Sequence, residues 1–220
     1  MKIFCVIPNY NKAEYVEKVV NEVAVVVDQV IVVDDGSSDN SLEVLDRTTA
    51  TVLSHLINRG QGTALKTGTD YALDQGAEVI IHFDADGQFR AQDIVRVIEP
   101  ILNNQADVVF GSRFLDTTTQ LPAFKKYIIM PIARWINAVF FKIKLTDPQS
   151  GFRAFSRQAA LLVDWQQDRM AHCNEILINA HQQPLRIREV PITVIYHEFG
   201  QKFSGGIMIL RDLFLASLNK

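Results

Sequence analysis

Val79-Ile80-Ile81-His82-Phe83, followed at once by Asp84-Ala85-Asp86-Gly87-Gln88, is a short apolar run that ends in two carboxylates one residue apart. Its length and β-branched content predict a strand, and its lack of polar alternation predicts a strand covered on both faces. Residues i and i+2 of a strand project to the same side, so Asp84 and Asp86 would emerge together where the strand meets solvent. Hard divalent cations such as Mg2+ or Mn2+ take oxygen ligands and keep positions for substrate phosphates, which makes the pair a candidate cation site. An acidic turn at a strand end, holding no metal, has the same local sequence.

Working outward, apolar runs alternate with helical patterns. Residues 3–7, 30–33, 52–57, 79–83 and 107–110 read as strands, and residues 13–28, 40–46, 63–74 and 92–103 as helices. That βαβ rhythm predicts an α/β fold with a doubly wound, mostly parallel sheet. The 220 residues, 48% of them hydrophobic, suit one domain with one sizeable core. A formal net charge of −3 argues against nucleic-acid binding through a globally basic surface. Cys5 and Cys173 are too far apart in sequence for a metal-ligand pattern or a disulfide framework, so a reducing, cytoplasmic setting is expected. The apolar stretch after Lys2 is too short for a signal peptide, and charged residues interrupt every run before it reaches the roughly 18 apolar residues of a membrane span.

Open α/β sheets bind ligands beyond the carboxyl ends of their strands. The five predicted exits are Pro8-Asn9-Tyr10-Asn11, Asp34-Asp35-Gly36-Ser37, Asn58-Arg59-Gly60-Gln61-Gly62, Asp84-Ala85-Asp86 and Gly111-Ser112-Arg113. Each taken alone is an ordinary turn or cap. Together they supply a stacking ring, acceptors for a base or ribose, and a metal site, which suggests a nucleotide. Pro8-Asn9-Tyr10-Asn11 stands where a dinucleotide fold would carry G-x-G-x-x-G, and no G-x-x-x-x-G-K-[ST] occurs. A metal, rather than a lysine loop, would hold the phosphates.

Pro8-x-Tyr10-Asn11, Val32-Val33-Asp34-Asp35-Gly36-Ser37, Asp84-Ala85-Asp86-Gly87-Gln88, Gly111-Ser112-Arg113 and Ser150-Gly151-Phe152-Arg153 resemble, in this order, the motifs of the family 2 glycosyltransferases. Their polyprenyl-phosphate branch, similar to dolichol-phosphate mannose synthase, matches best. The resemblance implies a GT-A fold and a nucleotide-diphosphate sugar donor, of the GDP-mannose or UDP-hexose type. Residues 1–113 would form the donor half and residues 114–220 the acceptor half. Pro8, Tyr10, Asn11, Val33 and Asp35 would contact the base and ribose, with Ala85 beside the donor. Asp84, Asp86 and Gln88 would hold Mg2+ or Mn2+, and Arg113 would face phosphate, although an arginine there also serves as a surface cap. Ser150 and Arg153 would line the sugar and the acceptor phosphate.

The acceptor implied is a polyprenyl phosphate, whose oxygen is anionic at neutral pH and needs no strong general base. Consistently, His172-Cys173-Asn174-Glu175 stands where relatives with hydroxyl acceptors carry a Glu-Asp pair. Glu175 would position the acceptor or a basic side chain, or be a helix-surface acid. Two departures from the family pattern stand out: Lys12 replaces the usual glutamate after Pro-x-Tyr-Asn, which bears on the base or ribose contact and leaves Glu14 as the nearest acid, and His197 stands at the position of an arginine, with Lys202 displaced from the usual lid lysine, which bears on donor closure. Phosphate binding through His197 would be pH-sensitive.

Residues 124–144 interleave Lys125, Lys126, Arg134, Lys142 and Lys144 with Tyr127, Trp135, Phe140 and Phe141. Such a stretch suits a helix lying in a membrane interface, or one burying its apolar side on the sheet. Residues 207–218 form a second apolar stretch. The expected location is cytoplasmic, peripheral at the inner face of the membrane, with a membrane-protein partner or a homodimer as an expected association and no nucleic acid. The competing readings are a family 2 transferase with a soluble hydroxyl acceptor and a non-catalytic nucleotide-sugar-binding module.

Overall fold

The computed structural model describes residues 1–115, 145–169 and 171–195. Seven strands form one sheet in the order β3-β2-β1-β4-β6-β5-β7: β1 (Ile3–Asn9), β2 (Gln29–Asp34), β3 (Thr51–Ser54), β4 (Val79–His82), β5 (Val108–Ser112), β6 (Arg153–Ser156) and β7 (Ile187–Pro191). All neighbours are parallel except β6, which runs antiparallel between β4 and β5. The mostly parallel α/β sheet expected from the apolar runs is therefore present. The insertion of β6 separates β4 from β5, which sequence order alone would place side by side.

Successive strand residues point to opposite faces. Cys5, Ile7, Val30, Val32, Val79 and Ile81 pack with α1 (Ala13–Val23), α2 (Ser41–Leu45) and α4 (Asp93–Leu102). Phe4, Val6, Ile31, Val33 and Ile80 pack with α3 (Gln61–Asp74), α5 (Arg157–Leu162) and α6 (His172–Gln182). A strand covered on both sides has no polar face to show, which is why these runs do not alternate.

Two boundaries differ from the sequence reading by more than two residues. Helix α1 stops at Val23, before the β-branched run Val25-Val26-Val27 that lowers helix propensity, and Asp28 Oδ2 accepts a hydrogen bond from the Ile3 N–H at 2.7 Å. Strand β3 stops at Ser54, leaving Leu56 and Ile57 exposed, because Gly36 crosses this segment. Gly36 has φ +70°, and a Cβ on it would lie 2.7 Å from the Ile57 carbonyl carbon. The residues at 124–144, 197, 202 and 207–218, to which the sequence reading assigned interface and lid roles, lie outside the described residues. Among the described residues no helix is long and apolar enough to cross a membrane.

Candidate active site

The exits of β1 and β2 are stitched together. Asn9 Nδ2 donates to Asp34 Oδ1 at 2.7 Å, and Asp34 also accepts from the Ser37 hydroxyl at 2.6 Å and the Ser37 N–H at 3.0 Å. Asn11 takes the left-handed conformation, φ 50°, which asparagine tolerates better than most residues. Its Oδ1 accepts from the Ser38 and Asp39 N–H groups. Asp39 Oδ2 in turn accepts from the Ala13 N–H, capping α1 where Lys12 offers no side-chain cap. These bonds hold Pro8 half-buried and leave Tyr10 46% exposed at the crevice, so a ring is presented from a rigid turn.

Two side chains expected to touch the donor are turned inward instead. Val33 is fully buried beneath α3, where a Cβ on Gly68 would lie 3.0 Å from its Cγ2. Asp35 is 2% exposed: its Oδ1 accepts from His55 Nδ1 at 2.7 Å and the Arg59 N–H at 2.9 Å, and its Oδ2 from the Gly60 N–H at 2.6 Å. A buried carboxylate needs such donors to offset lost hydration, so Asp35 shapes the loop after β3. His55, which the sequence reading passed over, is therefore part of the site. The sequence carries no signal for it: the parallel register, in which Asp34 pairs with Ser54 and the residue after each strand follows alongside, is set by the sheet.

Asp84 and Asp86 emerge beyond β4. Gln61 Nε2, in the first turn of α3, donates to Asp84 Oδ1 at 2.9 Å, and Gly151 lies directly against the same carboxylate. Asp86 Oδ1 accepts from the Gln88 N–H at 3.0 Å, so Gly87, at φ +70°, turns the chain and keeps Gln88 beside Asp86. Ala85, between them, points into the core. Burial, and then the Asp86 charge, push the Asp84 carboxyl up to about 7. Among the described residues neither aspartate forms an ion pair, and no cluster of three or more His, Cys, Asp or Glu side chains is arranged to hold a metal. Two carboxylates without an ion-pair partner among the described residues fit a hard cation that completes its shell with substrate oxygens and water, not an all-protein cage.

Behind Asp84 the site is polar and closed. Arg153 is fully buried: its Nε donates to the Ser150 carbonyl at 3.0 Å and its Nη2 to Cys173 Sγ at 3.0 Å, while Nη1 has no hydrogen-bond partner among the described residues. It pairs across the strands with His82, also fully buried, whose Nε2 meets Thr69 Oγ1 at 2.9 Å. Ser150 is buried too, and its hydroxyl accepts from the Phe152 N–H at 3.3 Å. Ser150 and Arg153, expected to line the sugar and the acceptor phosphate, are both buried, and it is Gly151 between them that lies against the Asp84 carboxylate. Arg153 opens β6, whose antiparallel insertion beside β4 draws its side chain into the sheet.

Arg113 leaves β5 beside the crevice, and Asp147 holds it with Nε–Oδ2 2.6 Å and Nη2–Oδ1 2.8 Å, a two-bond fork. Glu189 orients that aspartate by accepting from the Thr146 and Asp147 N–H groups. Glu175, in the first turn of α6, accepts from the Gln166 and Gln167 N–H groups at 2.9 and 2.8 Å. It thereby anchors a loop whose Asp168 carbonyl accepts from the Gly62 N–H at 2.7 Å. A Cβ at Gly60 or Gly62 would collide with the carbonyl oxygens of Asp168 and Gln167, so these glycines exist for close chain approach. The structure therefore brings together Pro8, Tyr10, Asn11, Asp84, Asp86, Gln88 and Arg113 at the carboxyl ends of the strands, with Val33, Asp35, Ala85, Ser150, Arg153 and Glu175 as their supports.

This chain is similar to proteins that share both its sequence motifs and its sheet. It is 33% identical to the UDP-N-acetylglucosamine–dolichyl-phosphate N-acetylglucosaminyltransferase of Methanococcus voltae, over 94% of this chain and 91% of that protein. It is 29% identical to the undecaprenyl-phosphate mannosyltransferase of Micrococcus luteus, over 94% of this chain and 90% of that protein. The fold is of the GT-A type. It superposes with a TM-score of 0.74, at 17% identity, on glucosyl-3-phosphoglycerate synthase from Mycobacterium tuberculosis in complex with Mn2+ and UDP-glucose, covering 99% of this chain and 78% of that one. The sequence profile of glycosyl transferase family 2 matches residues 4–162, which span β1 through α5 and hence both aspartates and the loop that backs them, and the chain belongs to that family as a glycosyltransferase.

Proposed function

We propose that this glycosyltransferase moves a sugar from a nucleotide-diphosphate sugar to a polyprenyl phosphate at a membrane surface, with inversion at the anomeric carbon. The carrying observation is the Asp84 and Asp86 pair at the end of β4, two carboxylates with no ion-paired cation among the described residues. Asp84 and Asp86, with Gln88 beside them, would hold Mg2+ or Mn2+. Bound there, a divalent ion supplies Lewis-acid stabilisation to the departing diphosphate.

The residues of the chain account for the rest. Pro8 and Tyr10 present an apolar wall and a ring for the nucleoside, on the exit of β1 that Asn11 pins to the next loop. Arg113, oriented by Asp147, places a fixed guanidinium at the phosphate side of the crevice. An oxygen of the acceptor phosphate attacks the anomeric carbon, the bond from that carbon to the β-phosphate oxygen breaks, and the nucleoside diphosphate leaves with the electron pair. No proton need be removed from an acceptor that is already anionic. That suits a site in which Glu175 is committed to two peptide N–H groups. Relatives whose names specify dolichyl and undecaprenyl phosphates support the lipid acceptor. The fold neighbour crystallised with Mn2+ and UDP-glucose is in keeping with a metal-bound nucleotide donor. In this reading residues 1–113 serve the donor and residues 114–220 the acceptor, with the basic, aromatic residues 124–144 meeting the membrane and His197 and Lys202 near the donor phosphates.

The test is to incubate the purified protein with a short-chain polyprenyl phosphate and a panel containing UDP-N-acetylglucosamine, UDP-glucose and GDP-mannose, with Mn2+, with Mg2+ or with EDTA. Metal-dependent formation of a lipid-linked sugar phosphate is expected by mass spectrometry. Nucleoside diphosphate released without any lipid product overturns the acceptor, and equal turnover in EDTA overturns the metal.

A further inference from the structure

His55 takes no part in the transfer chemistry above, yet both of its ring nitrogens are engaged. Nδ1 lies 2.7 Å from Asp35 Oδ1 and Nε2 lies 3.0 Å from Thr67 Oγ1, in the first half of α3. An ionised carboxylate only accepts, so Nδ1 carries the proton, and in the neutral ring Nε2 accepts from the Thr67 hydroxyl. The same carboxylate accepts from the N–H groups of Arg59 and Gly60, while the Asp35 N–H donates to the Asn9 carbonyl at 2.8 Å. Three consecutive strand exits therefore meet on Asp35, and His55 is its only side-chain donor among the described residues.

We infer that His55 is a positioning residue for the nucleotide end of the donor: by holding Asp35 it fixes residues 58–60 as the floor of the crevice next to the β1 exit. The inference rests on the proposed transfer reaction and adds the residue that shapes its donor subsite. Loss of the imidazole leaves Asp35 buried with backbone donors alone, and the loop it organises relaxes. Because the sugar and acceptor lie beyond the diphosphate, the loss falls on donor KM more than on kcat.

Three variants separate this role from general stabilisation. Asparagine carries its Nδ2 where histidine carries Nδ1, so His55→Asn still donates to Asp35. Glutamine carries its amide where histidine carries Nε2, so His55→Gln reaches Thr67 and leaves Asp35 without its donor. Calorimetric titration with UDP and with GDP, in the presence of Mn2+, should show His55→Ala and His55→Gln binding the preferred nucleotide roughly ten- to a hundredfold more weakly, the range of a charge-assisted hydrogen bond, with His55→Asn near wild type. Wild-type affinity in His55→Ala overturns the inference, as does equal weakening in all three variants with a parallel fall in melting temperature. If the wild-type protein binds neither UDP nor GDP, the transfer reading itself fails and the inference falls with it.

Discussion

Gly151 and Asp84 are packed so closely that a methyl group on Gly151 would lie 2.5 Å from Asp84 Oδ2 and 2.9 Å from Oδ1. The glycine sets the position of the carboxylate by leaving it nowhere else to go. Gly151→Ala should therefore displace Asp84 or the loop beneath it. A displacement of about 1 Å at a reacting site is worth on the order of 10²-fold in rate. Steady-state transfer rates together with a melting curve check this: a large loss of rate with a small loss of stability is expected, and an alanine variant of full activity refutes the arrangement.

Asp86→Asn keeps the size of the side chain and its turn with Gln88 but removes one of the two charges at the site. A fall of about 10²-fold or more in kcat/KM is expected, since electrostatic groups facing developing charge carry contributions of that order. The apparent affinity for Mn2+, read from the metal dependence of turnover, should weaken at the same time. An Asp86→Asn enzyme that turns over like wild type removes Asp86 from the metal site.

In metal-free protein the buried His172 and the half-buried Asp84 give stability opposite slopes against pH. Burial, and then the Arg153 charge, push His172 down to about 4. Its contribution is thus complete above the ordinary histidine value near 6.5 and is lost as pH falls from there to about 4, roughly 3 kcal/mol in all. Asp84, raised to about 7, contributes stability that is complete below the ordinary aspartate value and is lost as pH rises toward 7. In denaturant titrations with EDTA, wild type should vary little between pH 4 and 6.5. Asp84→Asn should decline clearly with acid over that window and exceed wild type at pH 8. Superimposable profiles for the two proteins refute the assignment.

Asp147 has 2% of its side chain exposed and binds Arg113 through two bonds. Asp147→Asn can keep at most part of this fork, leaving a half-buried guanidinium short of its counter-charge. A loss of about 1–3 kcal/mol in folding stability is expected, together with weaker donor binding because Arg113 is no longer oriented. Unchanged stability with unchanged donor KM refutes the positioning role.

The fold was largely legible because strands buried on both faces must be written as unbroken apolar runs, as β1, β2, β4 and β5 are. Strand β6 was not legible as a member of the sheet core. Its four residues begin with an arginine, and its partners are His82, 71 positions earlier in Arg153's own register, and Phe110 on the other side. The helix expected over 13–28 ran past its true end because its valines satisfy an amphipathic pattern while disfavouring the last turn.

By itself the sequence determined which chemical groups reach the carboxyl end of the sheet. A strand's length is a local property, so Asp84 and Asp86 had to follow the end of β4, and Tyr10, Gly36 and Arg113 the ends of β1, β2 and β5. Only the tertiary structure decided which of those groups face the crevice and which are consumed in building it. Asp35 is sealed against His55 and the 58–60 backbone, Arg153 is drawn under Asp84 by an antiparallel strand, and Glu175 is spent on two peptide N–H groups. The reason is that a buried charge must find its hydrogen-bond partners wherever the packed chain brings them: every donor to the Asp35 carboxylate lies 20 or more residues away, as does the Cys173 sulfur that accepts from Arg153.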